Sequence, residues 1–213
     1  GERLTVVDES GHVLSGDDLL ATFACLVGAA QPGAQVAVPV TAPSTIERIM
    51  AKHGGGVSRT KTDVRALMAT AAEDKAGITL AADSRGGLIF PQFHPAFDGL
   101  FAFAKLLEML AVQDTSISEV RAALPEYHMA HQTVSCPWEI KARIMRELMD
   151  ETNGKRAELL DGIKIFKNDQ TWSLVLPDAS EPSFRVYAEA PTQDEANEMV
   201  HRYVLKIGAL KKG

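Results

Sequence analysis

Gln35-Val36-Ala37-Val38-Pro39-Val40 is a short run rich in β-branched residues, and together with the elements behind it this run decides the fold. Immediately downstream, Ser44-x-x-Glu47 has the spacing of a capping box and opens a helix carrying Ile46, Ile49 and Met50, which Gly54-Gly55-Gly56 ends. Val57 to Thr62 reads as a second strand, Val64 to Ala72 as a helix with Leu67 and Met68, and Gly77-Ile78-Thr79-Leu80-Ala81-Ala82 as a third strand. This strand-helix alternation predicts parallel pairing with helices on the sheet faces, because a parallel crossover needs about a dozen residues or more.

Upstream, Leu4 to Val7 reads as a strand, Glu9-Ser10-Gly11-His12 as a turn into a second short strand, and Asp17 or Asp18 as the start of a helix running to Ala30. Downstream, a long helix is capped by Asp98, and its repeat of Leu100, Phe103, Ala104, Leu107, Leu110 and Ala111 is expected to face the core. Thr115 to Ala123 is a short helix that Pro125 ends, and a domain boundary is placed near residue 124. Beyond it come a helix from Glu139 to Glu151, strands at Gly162 to Phe166, Thr171 to Leu176 and Phe184 to Ala190, and a terminal helix opened by Thr192-x-x-Glu195. That is an α+β pattern, a helix pair on an antiparallel sheet.

Composition excludes several functions. With 213 residues, 46% apolar and 23% charged, the chain is long enough for a real core. Its 22 basic against 28 acidic side chains give a net charge of −6, so the basic field of a nucleic-acid binder is missing. The apolar run from Leu19 to Ala30 is far short of the roughly 20 residues of a membrane helix. Cys25 and Cys136 match no paired ligand spacing, which fits a reduced, cytoplasmic setting. The chain opens at Gly1-Glu2-Arg3 without Met and reads as a fragment.

Most apparent motifs reduce to structure. The triple glycine lacks the lysine and spacing of a phosphate loop. His128 and His131 lie three apart without a third ligand at zinc spacing, and Cys136-Pro137-Trp138 reads as buried packing. The run from Leu176 to Ala190 is more informative: it is a turn feeding a strand. With Phe184, Val186 and Ala188 facing inward, Arg185, Tyr187 and Glu189 fall on the opposite face and Ser180 in the loop before them. A hydroxyl, loop amides and a guanidinium could then converge on one anion; the alternative is a solvated edge turn.

That loop resembles the phosphate-binding signature R-P-S-G-T-E-P-x-x-R-V-Y-x-E of the α-D-phosphohexomutases, the phosphoglucomutases and phosphomannomutases. Other pieces agree in order: Gly1 to Gly11 with the end of the family's metal loop and its hairpin, Arg59-Thr60-Lys61 and Asp83 to Gly99 with its third domain, then Leu124-Pro125-x-Tyr127 and Asp161 to Ile165. The resemblance implies an α/β class, a three-layer α/β/α sandwich with a mixed or parallel sheet plus a smaller C-terminal α+β domain with an antiparallel sheet. It assigns 1–31 to the tail of domain II, 32–124 to domain III and 125–213 to domain IV.

The family moves a phosphoryl group between C1 and C6 of a hexose phosphate, using a phosphoserine and magnesium. The resemblance therefore implies magnesium in a parent protein and none in this chain, which lacks the serine and, at the end of the metal loop, carries Glu2 in place of the last Asp beside the retained Arg3. Arg3 and Lys61 would be catalytic; Asp83, Arg85, Gly86 and Gly87 would bind the sugar; Ser180 and Arg185 would bind phosphate. The clamp departs from the pattern, with Leu176, Asp178 and Ala179 replacing its first arginine, serine and glycine. An inward Asp178 would oppose phosphate, whereas the fork of Arg85 suits it.

Two functions fit these residues. One is the substrate-recognition part of a phosphohexomutase acting on a hexose phosphate, inactive without its N-terminal domains. The other is a non-catalytic sugar-phosphate or nucleotide-sugar module attached to a sugar nucleotidyltransferase, a branch that Pro91-x-Phe93-x-Pro95-Ala96-Phe97-Asp98-Gly99 resembles.

Overall fold

Residues 1–73 and 77–211 are described by the computed structural model. The chain divides into two compact units, Gly1–Glu126 and Tyr127–Gly213.

The first unit follows the alternation: α1 (Gly16–Ala30), β1 (Gln35–Pro39), α2 (Thr45–Lys52), β2 (Gly56–Thr60), α3 (Val64–Ala72), β3 (Ile78–Ala82), β4 (Leu88–Ile89), α4 (Gly99–Gln113) and α5 (Ile117–Ala122). Strand order is β2-β1-β3-β4, with β1 parallel to both β2 and β3, and β4 antiparallel to β3. The sheet is mixed, and β1 is central because each crossover helix carries the chain to a different side of it. Its two faces bury separate clusters. Val36, Val38 and Leu80 pack with Phe23, Leu26 and Ile46, while Ala37, Ala81 and Ile89 pack with Leu67 and Ala71. Helices thus cover both faces, the three-layer α/β/α arrangement.

Four local expectations change. The hairpin near the start is reduced to a single antiparallel bridge between Val7 and Val13. Ser44 makes no side-chain cap to α2, because its own backbone is already helical at φ −72° and ψ −8°, and Glu47 pairs instead with Arg59 by two hydrogen bonds of 2.8 and 2.6 Å. The buried face of α4 is Ala102, Leu106 and Met109, whereas Leu100, Phe103 and Leu107 are exposed by 78%, 48% and 51%. Apolar residues almost surround this helix, so its spacing alone could not phase the stripe. The division expected between 31 and 32 falls inside a packed unit, since Leu20, Phe23 and Leu26 of α1 share one cluster with Val36 and Val38 of β1.

The second unit contains β5 (His128–Ser135), α6 (Trp138–Asp150), β6 (Arg156–Glu158), β7 (Ile163–Asn168), β8 (Thr171–Pro177), β9 (Ser183–Ala190) and α7 (Gln193–Leu210). The sheet is antiparallel throughout in the order β5-β9-β8-β7-β6. Phe184, Val186 and Ala188 pack with Ile144, Leu148, Val200 and Ile207 of the two helices. Arg185, Tyr187 and Glu189 alternate onto the other face, as a period of two requires. Glu189 is buried there and accepts the Trp172 indole N–H at 2.6 Å, so it is a core acceptor. His128 and His131 lie three apart on a strand and point to opposite faces, which rules out a shared metal.

Candidate functional site

In the first unit the carboxyl ends of β1, β2 and β3 lie along one edge, with Pro39 opposite Thr60 and Ala37 opposite Ala81. The chain leaves β1 toward β2 on one side and leaves β3 toward β4 on the other, so the strand ends between them open in the way that open α/β sheets bind ligands. Lys61 directly follows β2 and is exposed; Asp83 directly follows β3 and is buried. By strand spacing the two positions are about 10 Å apart.

Asp83 organises the loop behind β3. Its Oδ1 accepts the backbone N–H groups of Arg85 and Gly87, each at 2.9 Å, and the Asp83 N–H donates to the Gly87 carbonyl at 3.0 Å. Arg3 donates to both carboxylate oxygens at 3.1 and 3.2 Å and to the Arg85 carbonyl at 3.0 Å, with its guanidinium 5.5 Å from the Phe97 ring centre. The Arg85 guanidinium stands 3.5 Å from Asp83 Oδ2 and is largely exposed. Two guanidinia thus meet one carboxylate, leaving one positive charge in excess.

Two glycines permit this geometry. Gly86 has a φ of +80°, and a Cβ there would stand 2.2 Å from the Leu4 carbonyl oxygen; its own carbonyl accepts the Leu4 N–H at 2.9 Å. Gly16, the first residue of α1, lets the Ser84 carbonyl approach to 1.7 Å from where a Cβ would be. Arg3, Asp83, Arg85, Gly86 and Gly87 are therefore one constellation. Gly16 escaped sequence reasoning; its only signal was a glycine just behind the Ser15 cap.

The second unit has a parallel loop between β8 and β9. Asp178 Oδ1 accepts the N–H groups of Ser180 at 2.8 Å and Glu181 at 3.0 Å, and its other oxygen pairs with Arg185. Burial alone would raise the Asp178 carboxyl, but these amides and the Arg185 charge outweigh it and hold the group below its usual range. Burial would lower the Arg185 guanidinium, but Asp178 and Tyr187 beside it push it up. Lys141 fastens the loop from α6, donating to the carbonyls of Asp178 at 2.7 Å and Glu181 at 2.5 Å. Its signal in the sequence was a lysine in register with Ile144 and Leu148 on the buried face of α6. Ser180 is exposed and contributes its amide; the loop amides and the guanidinium converge on Asp178.

The remaining expected residues are less organised. Glu2 is exposed, and among the described residues no group of three or more His, Cys, Asp or Glu is placed to hold a metal ion. The described residues do not make a magnesium site. Burial raises the Cys136 thiol, the opposite of activation. Among the described residues, no helix is long and apolar enough to cross a membrane.

Residues 15–127, more than half of the chain, match the family model described as phosphoglucomutase/phosphomannomutase, alpha/beta/alpha domain III. The chain belongs to the phosphoglucomutase/phosphomannomutase family. Curated relatives extend the match. A probable phosphoglucosamine mutase of Methanopyrus kandleri is 30% identical over 208 residues, covering 95% of this chain and 45% of the relative. A phosphopentomutase of Thermococcus kodakarensis is 29% identical, covering 97% and 46%. The chain thus spans about half the length of the curated relatives it matches. A solved phosphoglucomutase/phosphomannomutase family protein from Burkholderia thailandensis shares the fold over 100% of this chain and 45% of its own, with a TM-score of 0.79 at 24% identity.

Proposed function

We propose that this chain is the sugar-phosphate recognition part of a phosphohexomutase-like protein, and that its Asp83–Gly87 loop is the principal contact. The observation that carries this reading is the convergence of Arg3, Asp83 and Arg85 at the carboxyl edge of the sheet, with one cation in excess and Lys61 on the same edge two strands away. Asp83 and the loop carbonyls would accept sugar hydroxyls, while the exposed Arg85 fork would grip phosphate. Arg3 would hold Asp83 in place, and Lys61 would stabilise negative charge on a transferring phosphoryl group. The Pro177–Arg185 run would be a separate anion-binding loop of the second unit, its readiness for phosphate set by Asp178.

Phosphoryl transfer itself would require the preceding domains of a parent protein, with their serine and their magnesium. On this reading residues 1 to about 14 close the second domain, 15–127 are the third and the remainder the fourth, in a cytoplasmic protein. The Methanopyrus and Thermococcus relatives bear the names probable phosphoglucosamine mutase and phosphopentomutase, so the sugar itself is a variable of the test. The neutralised Asp178–Arg185 pair favours a second reading, a non-catalytic sugar-phosphate or nucleotide-sugar module serving an attached sugar nucleotidyltransferase.

Calorimetric titration of the chain with glucose 1-phosphate, mannose 1-phosphate, glucosamine 6-phosphate and a nucleotide sugar tests both. We expect saturable binding of at least one, weakened roughly tenfold to a hundredfold by Arg85→Ala, the worth of one charge-assisted contact. A nucleotide sugar alone binding selects the module. No binding by any of the four, or binding indifferent to Arg85→Ala, removes the recognition reading.

A further inference from the structure

The Asp178 loop is built like an anion site, yet an anion already sits in it. Two successive loop amides, of Ser180 and Glu181, point at one oxygen, and a guanidinium meets the other. This is how backbone nests and arginine hold oxyanions. The carboxylate that receives them is 5% exposed, whereas the Arg185 side chain is 46% exposed, so the acid lies beneath and the cation above it. Lys141 fixes the loop from below through the carbonyls of Asp178 and Glu181, so the amides stay presented whatever occupies the seat.

We propose that Asp178 is a specificity-determining residue that fills its own loop's anion seat: as the chain stands this loop rejects a phosphoester dianion, and it accepts one when Asp178 is replaced by glycine. The inference rests on the reading of the Pro177–Arg185 run as an anion-binding loop. With Asp178 ionised, one positive and one negative charge cancel, and an incoming phosphate would meet the carboxylate at about 4 Å while competing for the same amides. Removing one such charge at that distance is worth about fivefold to a thousandfold in affinity, for effective dielectrics of 80 to 20.

The test is a titration of the full chain with inorganic phosphate, following the amide resonances of Ser180 and Glu181 and the Arg185 Nε–H. In the unaltered chain we expect no saturable movement of the three. In Asp178→Gly all three should move together, with affinity for phosphate at least fivefold tighter, and adding Arg185→Ala should abolish the response. Asp178→Asn keeps an oxygen for the amides and removes the charge; it should give a smaller gain, and it carries the test if the glycine variant loses its dispersed spectrum. If the unaltered chain binds phosphate at these resonances as tightly as the variants, the closure is overturned and the loop survives as an ordinary phosphate contact. If every folded variant is silent, closure and loop both fall, while a response of Arg85 to sugar phosphate would leave the recognition reading standing. Binding to Asp178→Gly that survives Arg185→Ala lies elsewhere and also overturns the proposal.

Discussion

The loops behind β3 and behind β8 solve the same local problem and end with different charge. Each places an aspartate just after a strand, buries it and lets one oxygen take the amide two residues on, with a second amide at the fourth residue in the Asp83 loop and the third in the Asp178 loop. A third aspartate, Asp8, does the same with Ser10 and His12 in the opening turn. An aspartate-centred turn is therefore a structural device in this chain and says nothing about function by itself. The difference lies in the cations. The Asp83 carboxylate meets two guanidinia, so a positive charge is left over at the sheet edge; the Asp178 carboxylate meets one, and the second cation of that loop, Lys141, is buried and held on the loop carbonyls. Surplus charge, more than the turn, marks where an anionic sugar should bind.

The comparison breaks most visibly by removing each acid. Asp83→Ala strands the buried Gly87 amide and leaves two guanidinia facing each other, at a cost of about 2–4 kcal/mol in urea unfolding. Asp178→Ala should cost less, about 1 kcal/mol, because Ser180 and Glu181 are exposed and water replaces the lost acceptor. Equal costs would mean that the Asp83 loop is no more rigidly built than its counterpart. Gly86→Ala probes the support beneath the first loop. Its left-handed backbone and the close Leu4 carbonyl predict a loss of about 2–3 kcal/mol, read by the same unfolding curves.

The smallest effect belongs to the opening turn. The Ser10 hydroxyl, then the amides of His12 and Ser10 and the charge of Arg121, lower the Asp8 carboxyl to about 2 against the opposing effect of burial. The Ser118 hydroxyl chiefly does the same for Glu9, also to about 2. Folded values below the unfolded ones mean that these groups stabilise fully above their ordinary 3.8 and 4.5 and lose that contribution as pH falls toward about 2. Ser118→Ala should therefore lose less stability between pH 6 and pH 3 than the unaltered chain, as seen in thermal melts at the two values. An identical loss would detach Glu9 from the acid response.

Much of this was legible in the residues because two periods dominate the chain. The β-branched runs at Gln35, Ile78 and Phe184 have no competing pattern, and their strands form where alternation places them. Where the pattern was over-determined or local, tertiary forces decided. The long α4 is apolar nearly all round, so its inward face was set by what the sheet offered, and Glu47 left its cap for a bidentate arginine. The β5 strand, with few apolar residues, gave little sign of its place at the sheet edge. For the site, the residues of the Asp83 loop were visible as a set, but their mutual pairing was not. Neither the reach of Arg3 across to Asp83 nor the buried Lys141 strap can be read from spacing, since both join residues far apart in sequence.

The claim that surplus charge locates recognition is tested most directly by one NMR titration of the chain with mannose 1-phosphate, observing the guanidinium Nε–H resonances of Arg85 and Arg185 in the same tube. The account predicts a saturable shift at Arg85 with Arg185 stationary. A shift at Arg185 with Arg85 unmoved would contradict it.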